Sequence, residues 1–94
     1  MFHEIELNRD AILRIAHRHG ARNVRVFGSV ARGDHRPTSD VDLLVEMDQD
    51  RSLLDLVGLS QDLEALLQRR VDVVTDEGLH PAIRQRIIVE ARAL

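Results

Sequence analysis

Between Glu4 and His19 the apolar residues Ile5, Ala11, Ile12, Ile15 and Ala16 recur at helical spacing, and Gly20 stands where a left-handed C-terminal cap belongs. This predicts a first helix. Residues 23–27 then alternate, Val24 and Val26 against Asn23 and Arg25, as in a short strand closed by Gly28. From Gly28 to Ser39 the chain is rich in Gly, Ser, Thr, Pro and charge, which predicts a short helical turn followed by a loop. Residues 41–47 are dense in Val and Leu and read as a central strand with acidic residues set into its beginning. Ser52 can cap a second long helix, with Asp55 in a box-like position and Leu53, Leu56, Val57, Leu63, Leu66 and Leu67 as its apolar stripe. Val71, Val73 and Val74 mark a third strand. Pro81 suits the first turn of a last helix, in which Ile83, Ile87, Ile88, Ala91 and Leu94 gather toward one side.

These elements predict an α/β (α+β) domain spanning residues 1–94, with a small mixed three-stranded sheet packed with helices. The long middle helix would run roughly 24 Å and return the chain along a strand of about 20 Å. Strands two and three are therefore expected to be parallel, joined by a right-handed crossover. The link from Gly28 to Ser39 is too short for such a return, so strands one and two should be antiparallel.

Composition narrows the function classes. With 13 basic and 16 acidic residues the formal charge is -3, which argues against gripping nucleic acid by a broad positive surface. There is no cysteine, so thiolate zinc sites and disulfides are excluded and a reducing compartment fits. The first residues include Glu4, Glu6 and Asp10 and do not read as a signal peptide. No apolar run approaches the roughly 20 residues needed to span a bilayer. A cytoplasmic protein with no membrane partner is expected.

The topology makes a prediction about three acids. Asp40 and Asp42 are two residues apart, so in a strand both carboxylates leave one face. Asp72 begins the next parallel strand, about 5 Å away at the same sheet edge. Two such charges about 6 Å apart, in an effective dielectric near 20, repel by roughly 3 kcal/mol. A divalent cation reverses that sign, and an oxygen-only donor set selects magnesium or manganese over zinc. The antiparallel first strand delivers Gly28 and Ser29 to the same edge, where glycine permits close approach and the amides of the following turn suit phosphate. Arg32, one turn on, can add a charge-assisted contact to the same anion.

The runs Gly28-Ser29-Val30-Ala31-Arg32-Gly33, Ser39-Asp40-Val41-Asp42-Leu43-Leu44-Val45 and Val71-Asp72-Val73-Val74 together resemble the polymerase-beta-like nucleotidyltransferase superfamily, most closely the minimal nucleotidyltransferases (MNT domains) that act as antitoxins to HEPN-domain toxins. The resemblance covers nearly the whole chain. It implies that Gly28 and Ser29 hold the β- and γ-phosphates, that Asp40 and Asp42 bind two Mg2+ ions, with Mn2+ as the other candidate, and that Asp72 completes a metal site and helps draw a proton from the attacking hydroxyl. It also implies ATP as donor and a tyrosine hydroxyl of a HEPN toxin as acceptor, with no direct nucleic-acid partner.

Two other functions fit the same residues: a catalytically silent module that neutralises a partner by occlusion, and a free-standing transferase acting on RNA ends or a small molecule. Blander readings stand beside each motif. Asp40 and Asp42 can be a solvated acidic turn, Asp72 a surface acid paired with Arg69 or Arg70, Gly28-Ser29 an ordinary strand-to-helix turn, and Arg32 a cover for apolar surface. His35 and Arg36 read as an exposed loop, and the other histidines as mostly solvent-facing.

Overall fold

The computed structural model describes residues 2–34, 36 and 39–94, so His35 and part of the loop expected before Ser39 lie outside the described residues. The chain runs α1 (Phe2–Leu7), α2 (Arg9–Arg18), β1 (Ala21–Phe27), α3 (Gly28–Arg32), β2 (Val41–Met47), α4 (Leu53–Leu67), β3 (Val71–Thr75), α5 (Pro81–Glu90) and β4 (Arg92–Ala93). β1 is antiparallel to β2 and β2 is parallel to β3, as the connection lengths require.

Both ends depart from expectation. The single N-terminal helix is two, broken at Asn8, whose side-chain amide donates to the Glu4 carbonyl at 2.8 Å. An asparagine that bonds its own backbone competes with the helix ladder. The last helix stops at Glu90. Ala91 is extended, and Arg92 and Ala93 pair antiparallel with Val26 and Arg25. The sheet therefore has four strands, order β3-β2-β1-β4, where three were expected. Without β4 the outer edge of β1 would present unpaired amides and carbonyls, which an added strand satisfies. The Leu94 amide extends the pairing to the Val24 carbonyl at 3.0 Å, and the Leu94 side chain packs against the core.

β1 also begins two residues earlier than its alternation suggested. Between Arg22 and Arg25 its register with β2 slips, and Asn23 takes a left-handed φ of 51°. This bulge inserts one residue and changes the parity of the strand. Ala21, Val24 and Val26 are consequently all buried.

Alternate residues of β2 serve two different faces. Val41, Leu43 and Val45 join Val26, Val71, Ile12, Leu59 and Leu63 in one core beneath α2 and α4. Asp42 and Leu44 point the other way. Leu44 is still buried, because it lies in register between Arg25 and Val74. The Arg25 guanidinium, half-sunk in that face, meets Asp76 beyond the end of β3 at 2.6 Å. A pair joining β1 to the end of β3 must cross β2, so this half of the face is covered and the acidic half is not.

α4 is fixed at both ends. Ser52 accepts from the Leu54 amide and Asp55 from the Ser52 amide, the capping box expected, and Gln68 closes the helix with φ 55°. His19, one of the histidines of which most were expected to face solvent, bonds Asp62 at 2.7 Å and ties α2 to α4. His80 accepts from the Ala82 amide and caps α5. No helix among the described residues is long and apolar enough to cross a membrane.

Leu63 is wholly buried between α4 and the sheet. Its replacement by alanine is expected to lower unfolding free energy by about 2–5 kcal/mol, measured by urea denaturation with an unchanged slope.

Candidate active site

The site lies where β1 ends and β2 and β3 begin. Asp42 stands in register with Phe27 on one side and with Asp72 on the other, so paired positions carry two carboxylates on the same face of adjacent strands. Asp40 precedes β2 by one residue. The three carboxylates make no ion pair or hydrogen bond with any other described residue, although Arg69 and Arg70 stand close to Asp72 in sequence; Arg69 pairs with Glu4. Other acids of this sheet do find arginines, Asp48 meeting Arg22 and Asp76 meeting Arg25.

That isolation has an electrostatic signature. The Asp42 carboxyl is pushed up to about 6, first by burial and then by the charges of Asp72 and Asp40, with Arg32 opposing and Glu90 adding to the rise. Burial disfavours the charged form and neighbouring carboxylates disfavour it further. The donors are all oxygens, which suits a hard divalent cation rather than zinc. The acids do not form a ready-made cage, since among the described residues no three metal-binding side chains are grouped closely enough to hold an ion as they stand.

Gly28 closes one side of the cluster. Its φ is 76°, and a Cβ there would overlap Asp42 Oδ2. Both facts demand glycine: the backbone is left-handed, and the carboxylate rests against its Cα. The chain turns directly into α3, where Ser29 is half-buried and its hydroxyl has no partner among the described residues. The Ser29 carbonyl is engaged by the Gly33 and Asp34 amides, leaving the hydroxyl and the first amides of the turn as the free polar groups. Gly28, Ser29, Asp42 and Asp72, expected from sequence to meet at one edge, do meet there.

Arg32 is close enough for its charge to act on Asp42. It lines a groove with Phe27, Ile83 and Ile87, and its polar head is engaged. Its Nε meets Asp34 at 3.2 Å and its Nη1 meets Glu90 at 2.7 Å. Glu90 was missed by sequence reasoning, because it lies 58 positions from Arg32 on a helix with no motif around it. Arg36 is exposed, as expected.

Two grooves border the acids. One, of about 240 Å³, runs between α3 and α5 and is lined by Phe27, Gly28, Arg32, Ile83, Arg86 and Glu90 among others. The second, of about 480 Å³, lies toward α4 and contains Asp42 and Asp72 with Leu53, Leu56, Val57 and Val74. Asp42 and Asp72 thus line the second groove, while Gly28 lines the first beside Arg32, Arg86 and the apolar Ile83 and Ile87.

Comparison with known proteins identifies the family. The family model described as a nucleotidyltransferase domain matches residues 9–94. A candidate protein adenylyltransferase of Methanocaldococcus jannaschii is 45% identical over 80 residues, covering 85% of this chain and 86% of the relative. The protein adenylyltransferase MntA of Thermococcus cleftensis is 42% identical over 73 residues, covering 78% of this chain and 74% of that one. Among solved structures, a candidate minimal nucleotidyltransferase superposes with TM-score 0.84 at 46% identity, covering 98% of this chain and 92% of its own. An MNT antitoxin in complex with the tri-AMPylated Shewanella oneidensis HEPN toxin superposes with TM-score 0.71, covering 94% of this chain and 69% of that chain; at 19% identity the likeness is one of fold alone.

Two stability measurements follow from the geometry. Because the folded Asp42 carboxyl titrates near 6 and the unfolded one near 3.8, the native state binds the proton more tightly. Its contribution favours folding at low pH and is lost as pH rises from about 4 through about 6. Asp42→Asn is therefore expected to melt above the parent at about pH 7.5 without metal or nucleotide, the gap narrowing toward about pH 4. Gly28→Ala is expected to lose about 1–3 kcal/mol in urea denaturation from the left-handed backbone, and more if Asp42 cannot move aside.

Proposed function

The chain belongs to the nucleotidyltransferase domain family and is a nucleotidyltransferase; on that premise we propose that it transfers AMP from magnesium-bound ATP to a tyrosine hydroxyl of a HEPN-domain toxin. The single observation that carries the reading is the seating of the unpartnered Asp42 carboxylate against Gly28, with Asp72 beside it in register. The adenylyltransferase names of relatives at 42% and 45% identity support AMP as the transferred group. The HEPN partner is supported by a neighbour of the same fold bound to such a toxin.

In this mechanism the Gly28 and Ser29 amides and the Ser29 hydroxyl hold the β- and γ-phosphates, as a short cationic turn end suits an anion. Arg32 adds a guanidinium to the same phosphate chain. Asp40, Asp42 and Asp72 are the residues that would hold Mg2+, which when bound neutralises charge on the phosphates and aligns the reacting oxygens. Asp72, the exposed member of the trio, helps take the proton of the incoming hydroxyl in this reading. The acceptor oxygen attacks the α-phosphorus; the new O–P bond forms as the α–β bridging bond breaks, and pyrophosphate leaves.

The test is labelled ATP with magnesium and the co-purified HEPN partner. Label is expected on the partner, and mass spectrometry should place the mass of AMP on a tyrosine. Asp42→Asn should lower transfer on the order of a hundredfold or more while the two proteins still co-purify. Toxin neutralisation unaffected by that substitution would favour occlusion over transfer, and label on RNA or a small molecule instead of protein would favour a free-standing transferase.

A further inference from the structure

Arg32 is the arginine of this edge that pairs with two carboxylates, and the difference between them is informative. Arg32 lies in α3 at the mouth of the groove that begins at Gly28. Of its two carboxylates, Asp34 is two residues away, 61% exposed and the more distant at 3.2 Å. Glu90 comes from the last residue of α5, is only 18% exposed, and reaches Nη1 at 2.7 Å. Its charge also falls on Asp42. A carboxylate is thus held in the groove that Gly28 also lines, on the Arg32 guanidinium, in a cluster already rich in negative charge.

α5 has little else to hold its place. None of its residues is buried, and Ile83, Ile88 and Val89 are exposed. Its bonds to the rest of the chain concentrate at its ends: the cap at His80, the Arg32–Glu90 pair, and the strand β4 that follows. A partly exposed ion pair whose carboxylate adds to local repulsion contributes little to folding. Its geometry nevertheless fits a ligand-bound state in which an anion takes the carboxylate's place.

Resting on the nucleotidyltransfer reading above, we propose that Glu90 occupies the phosphate seat of Arg32 in the nucleotide-free protein, so that the triphosphate must displace it and thereby releases the last turn of α5. Glu90 is then an affinity-setting residue, opposing premature binding of any phosphate compound too short to reach both the Gly28 turn and Arg32. The ligand class is a polyphosphate chain, whatever base it carries.

The experiment is calorimetric titration of the intact protein with magnesium and a nonhydrolysable ATP analogue, in four forms: parent, Glu90→Gln, Arg32→Ala, and both together. Glu90→Gln is expected to bind about three- to fivefold tighter, the range set by no longer breaking an exposed ion pair. Arg32→Ala should bind more weakly, and Glu90→Gln should give no gain in that background. Glu90→Asp, which keeps the charge but withdraws it by one methylene, should fall between parent and Glu90→Gln. Binding to Glu90→Gln that is unchanged or weaker, with the parent binding normally, overturns the proposal. So does a gain that persists without Arg32, because it would mean diffuse repulsion rather than an occupied seat. If the parent itself binds no triphosphate, the nucleotidyltransfer reading fails, and this one with it. Thermal melts of each form separate loss of affinity from loss of fold.

Discussion

The structure depends on one unfavourable contact that it does not relieve. Asp42 and Asp72 lie at paired positions of neighbouring strands, and burial drives the Asp42 carboxyl up before its neighbours drive it further. Among the described residues no arginine pairs with it: Arg25 meets Asp76 over Leu44, and Arg32 is held by Asp34 and Glu90. A sheet selected only for stability would place an apolar residue at Asp42, like its neighbours Val41 and Leu43, or pair it with a cation. The cost is accepted at a single edge, next to the one turn whose backbone comes within contact of the carboxylate. Local conflict with global stability, confined to one place, is the pattern expected of a functional site.

How the fold sustains that edge follows from the division of labour between its faces. α2 and α4 bury Val41, Leu43 and Val45 with the facing residues of β1 and β3, and this core carries the stability. The opposite face is covered only where the Arg25–Asp76 pair crosses it. The period-two alternation of β2 therefore decides both matters at once: shifting the strand by one residue would bury Asp42 beneath the helices and expose Leu43. The bulge at Asn23 performs a similar service on β1, since it keeps Ala21 in the core while leaving Phe27 in register with Asp42.

Much of this was legible from local signals, and the failures were not random. Gly28, Ser29, Asp40 and Asp42 are close in sequence, and the length of α4 sufficed to bring Asp72 to the same edge. Ser52 and Asp55 announced a capping box that is present. What escaped were consequences of distant packing. Nothing around Arg92 and Ala93 reads as a strand; they become one because β1 has an edge to fill. Asn8 has no breaker next to it, and only its side-chain bond to Glu4 divides the helix. Glu90 carries no motif at all, and its meeting with Arg32 depends on where α5 crosses α3.

That crossing also explains why the site has one firm wall and one soft one. Gly28, Ser29 and the start of β2 are fixed to strands whose core side chains are almost wholly buried, so the phosphate-type turn and Asp42 have little freedom to separate. α5 buries no residue and is tied at its ends. Segments with few buried apolar contacts open at lower free energy than the core. Charge that binds on the firm side and competes for Arg32 would therefore act on the soft side, where Ile88 and Val89 stand exposed in the last turns of α5. The same overcrowded carboxylates that make the edge costly thus give an incoming cation and phosphate chain their leverage over the last helix of the fold.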